Sequence, residues 1–175
     1  LYSNNIKMGK SLYEKDLSKV VTSILQRAKL NKCNVILPVD VVCANSIEDK
    51  SFVRNYDINS IPNDLMALDI GNKTISIIKK NILNSKVILW NGPLGAFEHK
   101  PFDESSIQIA ETIKKIPKSL NILTIAGGGD TVSAIKLANA ENDFGYISSA
   151  GGAFLEWLEG KGSPGVNALK DNKIN

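Results

Sequence analysis

Apolar residues at Leu12, Leu17, Val20, Val21, Ile24, Leu25 and Ala28 recur at helical spacing and predict an amphipathic helix over about residues 11–30, with Ser11 as its cap. The compact run Val35-Ile36-Leu37 reads as a buried strand. Pro38 then limits ladder pairing, and Val39 to Ala44 continues extended. Residues 45–64 are polar and weakly periodic, the pattern of a surface excursion. Met66 to Gly71 reads as a short strand entering a turn. Asn72 is placed to cap a helix over 74–83, with Ile75, Ile78 and Ile82 inward.

The second half of the chain repeats a simple theme. Val87 to Trp90 is a strand ending in Asn91-Gly92-Pro93-Leu94-Gly95, and a helix over about 103–116 stops at Pro117. Leu120 to Ile125 is a strand followed by Ala126-Gly127-Gly128-Gly129-Asp130 and a helix to about Ala140. Tyr146 to Ser148 is a strand followed by Gly151-Gly152 and a helix through Leu158. Continuous rather than alternating apolar strands, each leading into a helix, predict an α/β fold: a three-layer αβα, Rossmann-like parallel sheet with helices on both faces. Ligands in that architecture sit beyond the carboxyl ends of the strands, where this chain places its glycines. Three such turns at one sheet edge are expected to converge on one crevice, with helix-opening amides favouring an anion.

Composition removes several alternatives. The 175 residues carry 21 Lys+Arg against 18 Asp+Glu, a formal net charge of +3 scattered along the chain, so no electrostatic grip on nucleic acid or membrane is expected. No run reaches the ~18 apolar residues of a membrane span. The single His99 excludes histidine-rich zinc sites and any second histidine base. Cys33 and Cys43 are too far apart for C-x-x-C and are read as reduced, buried thiols of a cytosolic protein. The first residues lack an initiating Met, which suggests a start inside a longer polypeptide.

Asp130-Thr131 sharpens the middle turn. An Asp at a helix start is commonly a cap, yet beside a phosphate it needs a cation between, so Asp130 is also a candidate Mg²⁺ partner, with the Thr131 hydroxyl reaching a phosphate oxygen. Glu98 follows the first turn and can accept both ribose hydroxyls or simply be solvated; His99, between Glu98 and Lys100, reads as surface. Met8-Gly9-Lys10-Ser11 imitates the end of a phosphate-binding loop, but Asn4 stands where that pattern needs Gly, and no strand precedes it. The G-x-G-x-x-G pattern fails at Val132, and no G-x-S-x-G occurs.

The run Val87-Ile-Leu-Trp-Asn-Gly-Pro-Leu-Gly-Ala-Phe-Glu98 resembles a signature of the phosphoglycerate kinase family. So do Leu37-Pro-Val-Asp-Val-Val42, Leu68-Asp-Ile-Gly71, Ile125-Ala-Gly-Gly-Gly-Asp-Thr131 and Leu155 to Lys161 with Pro164-Gly-Val166, in the family's order. The resemblance implies a two-domain enzyme that moves a phosphoryl group between 1,3-bisphosphoglycerate and ADP, giving 3-phosphoglycerate and MgATP. Residues 1–175 would then be part of the C-terminal nucleotide-binding domain, lacking that domain's first segment and the glycerate-binding domain. By the same resemblance Gly71 would line the adenine pocket, Glu98 hold the ribose, and Asn91 lie near ribose and phosphates. Gly128 and Gly129 would contact phosphate, Asp130 the Mg²⁺ and Thr131 a phosphate oxygen, while Gly151 and Gly152 would cradle the phosphoryl group in flight.

The sequence also departs from the family. Ala150 stands where a third glycine is usual, Phe154 where a small polar residue is usual, Asn72 replaces a Pro, and residues 102–106 depart from a more basic, glycine-bearing segment. The implied enzyme is cytoplasmic and monomeric at full length, and this chain alone is expected to be inactive because the family's lysine-bearing glycine motif lies upstream. A non-catalytic nucleotide-binding module and a purely structural or interaction protein are the alternatives.

Overall fold

The computed structural model describes residues 1–161, which divide into two compact units. The first comprises Leu1–Asn84 and Leu94–Ile109; the second comprises Ser85–Pro93 and the chain from Ala110 onward. Pro164-Gly-Val166 and the side chain of Phe154 lie outside the described residues.

In the first unit, β1 (Asp40–Ala44) is the centre of a three-stranded sheet, flanked by β2 (Val53–Asp57) and β3 (Met66–Ile70), both antiparallel to it. Both faces of β1 are covered. Val41 and Cys43 pack with Ile58, Ile61 and Leu65, while Ala44 packs with Leu68 and Phe102 on the other side. The antiparallel pairing was not foretold by the run of apolar residues, since a strand buried on both faces looks the same in either orientation.

Several local expectations need correction. Val35-Ile36-Leu37 is not a strand; the ladder starts only at Asp40, after Pro38, and Val35 and Ile36 are exposed. Residues 45–64 contain edge strand β2, together with the buried Ile58 and Ile61. The first helix, α1 (Ser18–Leu30), is shorter than its pattern and buries none of its residues. Ser11 does not cap it; the Ser11 hydroxyl accepts a hydrogen bond from Ala67 N–H at 2.9 Å, pinning the start of β3. Local bonds from Ser18 Oγ to Lys15 O and from Asn31 Nδ2 to Arg27 O close the two ends of α1 instead. Helix α2 (Asn72–Leu83) buries Ile75 and Ile82 as expected, but its N-cap is Gly71, and Asn72 is already its first helical residue.

The second unit contains the expected parallel α/β arrangement. Strands β4 (Val87–Asn91), β5 (Leu123–Gly127) and β6 (Tyr146–Ser148) lie in the order β4-β5-β6, with helices α4 (Gly129–Leu137) and α5 (Gly151–Leu158) following β5 and β6; helix α3 (Glu104–Lys114), between β4 and β5 in the chain, begins in the first unit and ends in the second. On one face Trp90 and Ala126 are buried, and the Trp90 ring lies 6.2 Å from that of Phe144. On the other, Val87, Leu89, Leu123 and Tyr146 remain 40–58% exposed. Among the described residues no helix is long and apolar enough to cross a membrane.

Candidate functional site

Register places the three strand ends of the second unit side by side. Asn91 is paired with Gly127, and Gly127 with Ser148, so the three turns leave the sheet from one row. Two hydrogen bonds lock them together. Gly128 N–H donates to Ser148 O at 3.0 Å, and Gly92 N–H donates to Thr131 Oγ1 at 2.6 Å. Of the three turns expected to converge, at residues 90–95, 127–131 and 148–153, the register brings the strand ends Asn91, Gly127 and Ser148 side by side.

The four glycines at this row are not equivalent. Gly128 has φ +95°, a conformation in which a side chain is strained. A Cβ on Gly151 would stand 2.6 Å from Gly128 Cα and 2.9 Å from Gly128 N, so the two turns touch through bare backbone. Asn91 Oδ1 lies beside both, 3.2 Å from that Cβ position and 3.4 Å from the one on Gly128. Gly129 and Gly152 differ, because a Cβ on either would meet nothing within 4 Å. They border open space at the openings of α4 and α5, where backbone can approach a ligand.

Helix α4 has Gly128 as its N-cap and no side-chain cap hydrogen bond. Its first-turn amides are left to solvent or an anion, and the helix dipole favours the latter. Asp130 sits exposed in that first turn. Thr131 is 1% exposed and serves as the acceptor for Gly92, a bond that does not use its own hydroxyl proton. Ala150 N–H donates to Ser148 Oγ at 3.2 Å, a local turn bond that leaves its methyl group exposed.

The remaining candidates belong to the first unit. Gly71, itself buried, joins β3 to α2; its N–H donates to Asp40 O at 2.9 Å, and its C=O accepts from Ile75 N–H at 3.0 Å. A Cβ there would run into Asn55 Oδ1 and the Asp40 carboxylate. Glu98 is exposed in a loop after Leu94, and His99 beside it is exposed as expected. Cys43 is buried, and that burial pushes its thiol up to about 11, which makes it unreactive; Cys33, expected to be buried, is exposed because the chain around it is not packed into a core.

Three carboxylates that are not among the sequence candidates are buried, Asp40, Asp69 and Asp103, and side-chain or backbone donors surround the first two. Asp40, fully buried, accepts from Thr74 Oγ1 (2.7 Å), Thr74 N (2.8 Å), Lys73 N (3.0 Å) and Asn55 Nδ2 (3.0 Å), thereby supplying to α2 the cap that Gly71 cannot. Burial raises its pKa, but those donors outweigh burial, and the net effect lies below the usual carboxylate value. Asp69 accepts from Ser105 Oγ, Ser105 N (3.1 Å) and Ile70 N (2.8 Å). Here burial dominates, with Asp103 adding to it, and the pKa is raised. The available signal was a lone Asp inside an apolar run, as in Leu37-Pro-Val-Asp-Val and Ala67-Leu-Asp-Ile. A carboxylate kept where every neighbour is apolar must be held by donors.

Fold and site together define a class: an α/β protein whose parallel sheet ends in glycine-rich, helix-opening turns, the edge at which such sheets take ligands. The model of the phosphoglycerate kinase family matches residues 1–161, and the chain belongs to that family. It is 44% identical over 170 residues to the phosphoglycerate kinase of Rhodopseudomonas palustris, covering 97% of this chain and 43% of that protein. The Xanthobacter autotrophicus phosphoglycerate kinase is 43% identical over 164 residues, covering 94% and 41%. A solved phosphoglycerate kinase from Coxiella burnetii matches with a TM-score of 0.86 at 32% identity, over 97% of this chain and 43% of that one. The chain thus spans less than half the length of the relatives it matches.

Proposed function

We propose that this chain is part of a phosphoglycerate kinase, an enzyme of glycolysis that transfers a phosphoryl group reversibly between 1,3-bisphosphoglycerate and ADP, giving 3-phosphoglycerate and ATP in the cytoplasm. It carries part of the Mg-nucleotide site and does not turn over alone. The reading rests on the row Asn91, Gly127 and Ser148, which brings three glycine turns together with Gly129 and Gly152 facing open space.

In this reading the amides of Gly128 and Gly129 contact nucleotide phosphates, and those of Gly151 and Gly152 cradle the phosphoryl group in flight. Asn91, whose Oδ1 lies beside Gly128 and Gly151, is near ribose and phosphate. Thr131 keeps the Gly92 turn in register, with its hydroxyl proton directed to a phosphate oxygen. In the first unit, Gly71 forms a wall of the adenine pocket and Glu98 accepts the ribose hydroxyls. Such a site works by positioning: fixed amides aimed at the equatorial oxygens stabilise spreading negative charge without forming a covalent bond to the protein.

The residues present fit a magnesium nucleotide. A nucleotide-bound Mg²⁺ takes one or two carboxylates, with phosphate oxygens and water completing its shell, so the exposed carboxylate of Asp130 beside open Gly129 suffices. When bound, Mg²⁺ neutralises phosphate charge. Asp130 is the residue that would hold it.

Calorimetric titration tests this reading. MgADP should bind, and Asp130→Asn should weaken MgADP about ten-fold while changing metal-free ADP less than two-fold; charge-assisted contacts carry about this much. Equal losses would reduce Asp130 to a helix-dipole residue. Production of ADP from ATP and 3-phosphoglycerate by the purified chain would overturn the assignment of inactivity. A nucleotide-binding module without catalysis is the second reading, favoured by Ala150 at a position where the family usually has glycine. Turnover by the longer polypeptide separates it from the first.

A further inference from the structure

The loop that carries Glu98 is closed and anchored from inside. At its base Leu94 and Ser106 meet: Ser106 Oγ donates to Leu94 O and accepts from Leu94 N–H, both at 2.8 Å. Ala96 N–H donates to Leu68 O at 2.8 Å, and Phe102, fully buried, packs against Ala44 and Leu68. Two turns, from His99 N–H to Ala96 O and from Phe102 N–H to His99 O, shape the segment around Glu98. This is a compact loop whose ends are close and whose own side chain fills it.

Asp69 on β3 touches this loop at both limbs. Its carboxylate accepts the Ser105 amide and hydroxyl on the returning limb. On the outgoing limb, a Cβ on Gly95 would collide with Asp69 Oδ1, and its distance to Asp69 Cγ would be 2.6 Å. Gly95 therefore rests directly on the carboxylate, three residues before Glu98. Asp69 is 6% exposed and has no route to a ligand of its own.

We propose that Asp69 is a positioning residue for Glu98, fixing both limbs of the 94–106 loop so that the Glu98 carboxylate is presented to the ribose of a bound nucleotide. The proposal rests on the nucleotide reading above and goes beyond it by assigning ribose selectivity to a buried group that never meets the ligand. The carboxylate bonds the returning limb and abuts the outgoing one, so its loss lets the loop drift even where the sheet stays folded.

The test is the ratio of affinities for MgADP and Mg-2′-deoxy-ADP, measured by titration calorimetry on the 175-residue chain. The parent should prefer MgADP about ten-fold, the worth of a hydroxyl bonded to a carboxylate. Glu98→Ala should abolish the preference. Asp69→Asn and Ser105→Ala, each confirmed folded by a cooperative melt, should reduce it below about three-fold. Ile82→Val in the α2 core should lower the melting temperature and leave the preference intact, since a merely structural loss does not act on one ribose hydroxyl. If Glu98→Ala removes the preference while folded Ser105→Ala and Asp69→Asn keep it, the positioning role is overturned. Should Asp69→Asn fail to fold, Ser105→Ala decides alone. An unchanged preference in Glu98→Ala, or a parent that binds neither nucleotide, overturns the nucleotide reading and the positioning role with it.

Discussion

The two units solve the same problem in opposite ways. In the first, a short antiparallel sheet is sealed on both faces, with Val41 and Cys43 inward on one side and Ala44 against Phe102 on the other. In the second, a parallel sheet buries Trp90 and Ala126 on one face but leaves Val87, Leu89, Leu123 and Tyr146 exposed on the other. The sealed sheet holds its buried carboxylates and presents its candidate ligand residues from loops around it. The half-covered sheet keeps its chemistry at one edge, in the row of strand ends, where lateral register rather than face packing sets the geometry. Fold and site therefore make different demands on these residues: the turns at Gly128 and Gly151 need only neighbouring strands, whereas Glu98 needs a packed core beneath it.

Truncating each sheet in turn tests this contrast most severely. Phe102→Ala removes a fully buried ring from the sealed unit and should cost about 3–5 kcal/mol in denaturant unfolding. Leu123→Ala removes a half-exposed side chain and should change stability by about 0.5 kcal/mol or less. Comparable losses would mean that the Leu123 face is covered in solution, and the contrast between the sheets would disappear. The same experiment bears on colloidal behaviour, since a contiguous apolar face of this kind favours association. Leu123→Lys should lower apolar-dye binding relative to the parent.

The glycine pairs give the next effect. Gly151→Ala places a methyl group 2.6 Å from Gly128 Cα, so the turns must part. That overpacking should cost about 1–3 kcal/mol and weaken MgADP about ten-fold or more. Gly152→Ala meets nothing within 4 Å and should leave the melting temperature nearly unchanged. Any loss of MgADP affinity in Gly152→Ala then comes from crowding the ligand rather than from the fold. Equal destabilisation by the two substitutions would show that the open side of the row is not open.

What could be read from the sequence follows the same division. Strands β4 and β6 and the starts of α4 and α5 were legible because an apolar run, a glycine turn and a helical pattern follow one another without interruption. Edge strand β2 was not, since Val53-Arg-Asn-Tyr-Asp57 buries only two side chains partly, and its alternation is lost among polar neighbours. The stripe on α1 announced an amphipathic helix correctly, but periodicity describes the helix and says nothing about what covers it. At the site, the glycine row was visible because three glycine-rich turns each follow an apolar run, where a single one would read as an ordinary turn. A lone Asp in an apolar run marks Asp40 and Asp69, but their donors were not legible: Thr74 and Ser105 lie 34 and 36 residues away in the chain, and only the fold brings them together.

The smallest expected effect concerns those two carboxylates, which sit in one sheet and respond to acid with opposite sign. Buried carboxylates among the described residues all belong to the first unit, so acid sensitivity of this kind should report on that unit. Asp40 has its pKa lowered on folding: burial opposes ionisation, but the bonds from Thr74, Asn55 and Lys73 outweigh it. Its contribution is present above the ordinary carboxylate pKa of about 3.9 and is lost as pH falls from there through the folded value. Asp69 has its pKa raised, first by burial, so its ionisation imposes a cost that appears as pH rises from about 3.9 through the higher folded value. The stability advantage of the parent over Asp40→Asn should therefore grow with pH across the lower window, while its advantage over Asp69→Asn should shrink with pH across the upper one. Melting temperatures taken in parallel from pH 3 to 7 read both slopes. Two gaps moving in the same direction would mean that desolvation, rather than the donor set, governs Asp40, and the cap it provides to α2 would have to be neutral.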